Sequence, residues 1–151
     1  NKRKVVMAIT TNMCNTFKEE MLKGVHDMSS DVLKLALFKE APTGTYGENT
    51  TNYSEVTSAS DETTGTNYTA GGQQLDTPTV TLIGDTAIVD FDDEVFNDVT
   101  IATDGCIIYN TSQGNAAVCV IDFGGTVSAT AGDLTIEFPP ANATDAVIRV
   151  Y

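Results

Sequence analysis

The chain has 151 residues, 41% of them apolar, and 8 Lys+Arg against 21 Asp+Glu give a net charge of −13. That length and apolar content specify one domain with its own core, and exclude a disordered chain or a small disulfide-stapled scaffold. The charge excludes general electrostatic binding of the body to nucleic acid or an anionic membrane.

The charge is unevenly placed. Residues 1–39 sum to +3, whereas residues 40–151 hold a single cation, Arg149, and sum to −16. Residues 1–11 read as an extended basic arm, with Lys2-Arg3-Lys4 followed by Val5-Val6-Met7-Ala8-Ile9. The apolar stretch is too short for a secretory h-region or a membrane span, so the expectation is a soluble protein or part of an assembly. Its β-propensity suits addition of a strand to a neighbouring sheet edge, with the basic run docking on an acidic surface. Lys2, Arg3, Lys4, Val5, Val6 and Met7 are the candidate partner-binding residues.

Residues 12–151 read as one β-rich domain. A helix follows the arm: Asn12 is the candidate cap, Phe17, Met21 and Val25 form an apolar stripe, and Gly24 is the stop. In 32–39, Leu33, Leu35 and Leu37 alternate with Lys34, Ala36 and Phe38, which predicts a strand. Residues 41–76, rich in Gly, Thr, Ser and Asn, read as a long loop region with one short strand near Tyr53–Thr57. From Thr77 onward short strands are predicted at close spacing. Thr79–Ile83 and Thr86–Phe91 flank a Gly84-Asp85 hairpin turn. Val99–Ala102 and Cys106–Tyr109 flank a turn signal at Thr103-Asp104-Gly105. Ala116–Phe123 follows a loop at 110–115, Gly124-Gly125 turns again, and Leu134–Phe138 and Ala146–Tyr151 complete the set. The pattern predicts a mainly β fold, an antiparallel, jelly-roll-like β-sandwich with one short N-terminal helix.

Few residues suggest chemistry. His26 is a lone histidine, read as a surface residue, and Cys14 lacks metal-ligand spacing to it. Asp90, Asp92, Asp93 and Glu94 form the densest acidic cluster and are the candidate calcium ligands, although Val95 stands where an EF-hand needs Gly. The same carboxylates as a glycosidase pair would lack a Trp platform. If the 110–115 loop pairs Tyr109 with Ala116, Cys106 falls opposite Cys119; both are expected to be buried, reduced thiols. Gly71-Gly72 lacks the Lys and following helix of a phosphate loop.

The order of motifs resembles a family of small virion proteins of tailed bacteriophages. It runs from Phe17-Lys18-Glu19-Glu20-Met21-Leu22-Lys23-Gly24 through Val32-Leu33-Lys34-Leu35-Ala36-Leu37, Tyr53-Ser54-Glu55-Val56 and Thr64-Gly65-Thr66-Asn67-Tyr68-Thr69-Ala70-Gly71-Gly72-Gln73-Gln74-Leu75. It continues with Val89-Asp90-Phe91-Asp92-Asp93, Ile107-Ile108-Tyr109, Ile121-Asp122-Phe123-Gly124 and Gly132-Asp133-Leu134-Thr135-Ile136. The residues before Met7-Ala8 depart from that pattern. The resemblance implies a structural protein with no catalytic residues. The expected role is a capsid decoration (cement) protein on the outer surface of the virion, assembled in the host cytoplasm. It would bind the major capsid protein and itself, as a homo-oligomer, with a trimer matching local three-fold positions. A tail or fibre-base component is the alternative, and a calcium-dependent carbohydrate-binding module a third reading from a different class. No cofactor other than calcium is expected.

Overall fold

Leu33, Leu35 and Leu37, alternating as a half-buried strand requires, lie at the centre of the fold. The computed structural model describes Ile9 and residues 11–151. Two antiparallel sheets form a sandwich-like, mainly β arrangement, one of five strands in the order β1-β7-β6-β2-β3 and one of three in the order β4-β5-β8. The strands are β1 (Asn12–Met13), β2 (Leu33–Lys39), β3 (Gln73–Gln74), β4 (Thr79–Ile83), β5 (Thr86–Asp90), β6 (Glu94–Asn110), β7 (Ala116–Ile136) and β8 (Ile148–Val150). The helices are α1 (Asn15–Leu22) and α2 (Ser54–Ser58). One apolar cluster joins both sheets: Phe17, Leu33, Leu35, Leu37, Ile107, Val118, Val89 and Ile148 all belong to it.

Helix α1 starts later than its sequence suggests. Asn12 is not the cap; it is extended and pairs with Val120 of β7, so Cys14 occupies the cap position without a side-chain bond. The apolar stripe narrows accordingly. Phe17 is buried, Met21 packs at the core's margin, and Val25, beyond the helix, is exposed. Gly24 stops the helix with φ +70°. In β2 the even face is also covered, since Ala36 and Phe38 are as buried as the leucines.

The second half is more continuous than its turn residues imply. Strand β6 passes straight through Thr103-Asp104-Gly105, and β7 passes straight through Gly124-Gly125. The turn-forming residues are absorbed as a bulge: Thr103 pairs with Val127, yet Gly105 pairs with Asp122. The extra residues lie on β7 around Gly124, which takes φ +77°. A bulge of this kind bends a strand without ending it. The true turn is at Thr111–Gln113, a 3-10 helix closed by Gly114 and Asn115, both left-handed. Asn110, not Tyr109, pairs with Ala116, and a second bulge, between Ile108 and Tyr109, moves the register on the cysteines by one residue more. Cys106 opposes Ile121, and Cys119 opposes Ile108, so the two thiols are not cross-strand partners. All three cysteines are buried and free.

The expected short strand near Tyr53–Thr57 is instead helix α2. Its first turn is fixed locally: Asn52 Oδ1 accepts from Ser54 N (3.0 Å), and Glu55 Oε1 accepts from Thr51 N (2.8 Å) and Thr51 Oγ1 (2.7 Å). These side-chain bonds offer the backbone a helical start that β-propensity alone does not reveal.

Candidate interaction surface

Residues 41–76 are tied down by two adjacent carboxylates. Asp61, fully buried, accepts from Thr43 N (2.9 Å), Gly44 N (2.7 Å), Tyr46 Oη (2.7 Å) and Lys39 Nζ (2.9 Å). Burial alone would raise its carboxyl; the Thr43 and Gly44 amides, Lys39 and Tyr46 overcome that and hold it far below the usual carboxylate range. Glu62 serves the other half of the loop. It accepts from Tyr53 Oη, from Tyr68 Oη (2.7 Å) and from Gly71 N (2.7 Å). Tyr109 in turn donates to the Gly71 carbonyl (2.6 Å) and stacks on Tyr53 at 4.3 Å between ring centroids. At Gly72, φ is +72° and a Cβ would overlap the Leu35 carbonyl oxygen, so the loop lies directly on β2. The glycine-rich segment is therefore a fixed surface built on the sheet.

The small sheet presents a second surface. Its register places Val80, Val89 and Ile148 in one row and Leu82, Ala87 and Val150 in the next, all on one face. Val89 and Ile148 are buried in the core, whereas Val80 is 50% and Leu82 71% exposed. A groove of about 330 Å³ runs between this face and Met21, His26 and Met28. Among the described residues strand β4 is an edge strand, paired with β5 alone, and all five of its residues are exposed.

His26, read from sequence as a surface residue, has a fully buried side chain. Nε2 meets Glu20 Oε2 at 2.6 Å and Nδ1 meets Asn110 Nδ2 at 2.9 Å, while the ring packs on Phe17 at 4.9 Å. Because Asn110 Oδ1 accepts from Ser112 N, its Nδ2 is the donor, and His26 Nδ1 accepts. The ring thus donates through Nε2 to Glu20. Both nitrogens are engaged within the protein, which makes His26 a packing residue that locks α1 to the tip of the long hairpin.

The acidic cluster disperses. Asp92 accepts from Thr77 Oγ1 (2.7 Å), and Asp93 accepts from Phe138 N (2.8 Å). Glu94 is buried and lies beside Gln73, whose side-chain amide satisfies the Glu94 carboxylate and the Val95 carbonyl when its nitrogen is turned toward them. Burial, and then the nearby Asp76, push the Glu94 carboxyl up. Phe91 points into the core as its alternation requires, and Asp90 Oδ1 is buried without a partner among the described residues. Among those residues no three His, Cys, Asp or Glu side chains converge to hold a metal. The candidate partner-binding residues Lys2, Arg3, Lys4, Val5, Val6 and Met7 lie outside the described residues. The end of the expected arm belongs to the body: Ile9 is buried and bridges to Tyr46, and Thr11 Oγ1 accepts from Asp122 N (2.9 Å). No helix among the described residues is long and apolar enough to cross a membrane.

Comparison with protein-family models, with curated proteins and with solved structures returns no match to this chain.

Proposed function

We propose that the chain is a structural component of a tailed-phage virion, a decoration (cement) protein that docks on the major capsid protein at the outer surface of the head. The order of motifs supports this reading, and one structural observation carries it. The long polar loop of residues 41–76 is held in a single shape by Asp61 and Glu62. A loop ordered in advance loses little conformational entropy when it binds, which is what a protein docking at many equivalent sites requires. Weak contacts of this kind gain strength when several are tethered in one oligomer. The basic residues Lys2, Arg3 and Lys4 add a cationic segment to an otherwise acidic body.

The test is addition of the purified protein to heads of its phage from which it has been left out. Co-sedimentation at a fixed ratio of hundreds of copies per head, with a raised disruption temperature of the shell, is the expected result. A few copies confined to the tail of intact virions would replace this reading with a tail or fibre-base role. Deletion of residues 1–7 addresses the arm separately: weakened shell binding is expected, and unchanged binding removes the arm from the contact.

A further inference from the structure

Sheets in soluble proteins protect their edges with bulges, charges, proline or very short strands. Among the described residues, the strands that end each sheet obey that rule with one exception. The outer edges at β1 and β3 are two residues long, and β8 is three residues with Arg149 at its centre. The outer edge of β7 beyond β1 is broken by left-handed backbone at Gly124 and Ala131. Strand β4 has none of these devices between Thr79 and Ile83; Pro78 stands directly before it and ends any added pairing there. The strand is Thr-Val-Thr-Leu-Ile, uncharged, regularly paired with β5 over all five residues, and, among the described residues, open along its other side.

The geometry points to a second copy of this chain as the partner of that edge, through antiparallel pairing of β4 with β4 about a two-fold axis at Thr81. The sequence is self-complementary in that register. Thr81 meets Thr81, Val80 meets Leu82 of the second copy, and Thr79 meets Ile83. The apolar face then becomes continuous. The row Val80, Val89, Ile148 of one copy joins the row Leu82, Ala87, Val150 of the other, giving one face across six strands. Cross-strand pairs of this kind are the unit of sheet stability. The charges agree as well: Asp85 falls opposite Thr77 and Asp76 opposite Thr86, so no carboxylates oppose each other in the pairing. The contact is isologous and closes at two copies, in contrast to the trimer suggested by three-fold positions on a shell. It stands apart from the shell-docking proposal, and either can fail without the other.

Each copy carries a net charge of −13, while the contact itself is uncharged. Screening therefore strengthens this association, the reverse of docking on a cationic partner. Sedimentation of the full chain across about 1–500 μM should move from the 16.0 kDa monomer to twice that mass, at lower concentration in 500 mM than in 50 mM salt. Leu82→Lys, on an exposed position, should keep the circular dichroism of the fold and raise the dimer dissociation constant at least tenfold. The register is tested by Thr81→Cys under glutathione oxidation. Directly opposed antiparallel residues lie about 4.5–5.5 Å apart, within disulfide range, so T81C should cross-link to itself and T79C should not. A monomer at every concentration and salt, a trimer, or equal cross-linking of T79C and T81C would each overturn the proposal.

Discussion

Asn110, at the end of strand β6, donates one amide hydrogen to His26 Nδ1 (2.9 Å) and the other to Asp31 Oδ2 (2.7 Å). It is fully buried, and its carbonyl oxygen holds the Ser112 amide that begins the turn. One side chain thus joins α1, the loop before β2 and the tip of the hairpin. Replacing it with Ala leaves a buried imidazole nitrogen and a backbone N–H without partners. Unsatisfied buried groups of this kind cost about 1–3 kcal/mol each. Asn110→Ala should lower the stability by about 3 kcal/mol in a urea titration; a loss below about 0.5 kcal/mol would show that these bonds carry nothing.

Asp61 links stability to pH. Its folded carboxyl is held below the ordinary value, so its contribution is fully present above the unfolded value, near pH 4, and drains away as pH falls further. Asp61→Asn removes the charge and one acceptor from a site built for both. The variant should be less stable than the parent at pH 7, and the gap should narrow steadily from pH 4 downward. Parallel denaturation curves at pH 7, 4, 3 and 2 measure that difference, and a gap independent of pH would refute the assignment.

Four tyrosines sit in or beside the carboxylate networks. Burial is the first cause in each case, and it pushes Tyr109 up to about 12 and holds Tyr46, Tyr53 and Tyr68 above that; Asp61 adds to Tyr46, and Glu62 to the others. The chain has five tyrosines and no tryptophan, so phenolate absorbance is easily followed. At pH 11 the folded protein should keep Tyr46, Tyr53, Tyr68 and Tyr109 protonated, and denaturant at the same pH should release them together.

The thiols should be silent in the folded state. Burial raises Cys14 and Cys119 to about 12 and Cys106 well above its ordinary value. Thiolate is the reactive form, so alkylation under native conditions should leave all three unmodified. Unfolding in denaturant without a reductant should then expose three reactive sulfurs by mass. Only one reactive sulfur would reveal a disulfide and overturn the register between β6 and β7.

Gly72 and Gly24 form a controlled pair. Both have positive φ, but a Cβ at Gly24 meets nothing within 4 Å, whereas one at Gly72 overlaps the Leu35 carbonyl. Gly24→Ala should therefore cost only the left-handed backbone term, about 1–2 kcal/mol. Gly72→Ala should cost more than that by calorimetry, or prevent the loop from seating on β2. Equal losses at the two positions would mean that the loop yields freely.

Much of the fold was legible where the signal is local. The alternation of Leu33, Leu35 and Leu37 identified β2, and Gly84-Asp85 located the β4–β5 hairpin, because both depend on neighbours in sequence. What failed depended on partners far away. Thr103-Asp104-Gly105 carries turn residues, but Asp104 spends its carboxylate on Ala41 N and Thr126 Oγ1 while the strand continues past it. His26 looked solvent-exposed because the residues that bury it include Asn110, 84 positions later. The cysteine register missed by two positions, one because Asn110 and not Tyr109 pairs with Ala116 and one because of a bulge, neither of which composition announces. Asp90, Asp92, Asp93 and Glu94 read as a cluster because they are adjacent, yet Asp92 is claimed by Thr77, Asp93 by Phe138, Glu94 is buried beside Gln73, and Asp90 Oδ1 has no partner among the described residues. The apolar rows of the small sheet emerge only from the pairing of three strands, and the third, β8, has no turn signal that fixes its register.

The long hairpin also sets an order of assembly. Residues 94–136 close on themselves from the Thr111–Gln113 turn, and each added pair bridges only a short separation along the chain. The bond between His26 and Asn110 instead closes a separation of 84 residues. Loop closure of that length carries a larger entropic cost, so it follows the hairpin instead of leading it. During synthesis residues 11–39 emerge before residues 94–136, so the apolar Phe17 and Leu33 wait uncovered for the hairpin that buries them. The N-terminal third is thus a client of the C-terminal half, and that interval is when the young chain most needs shelter from its own neighbours.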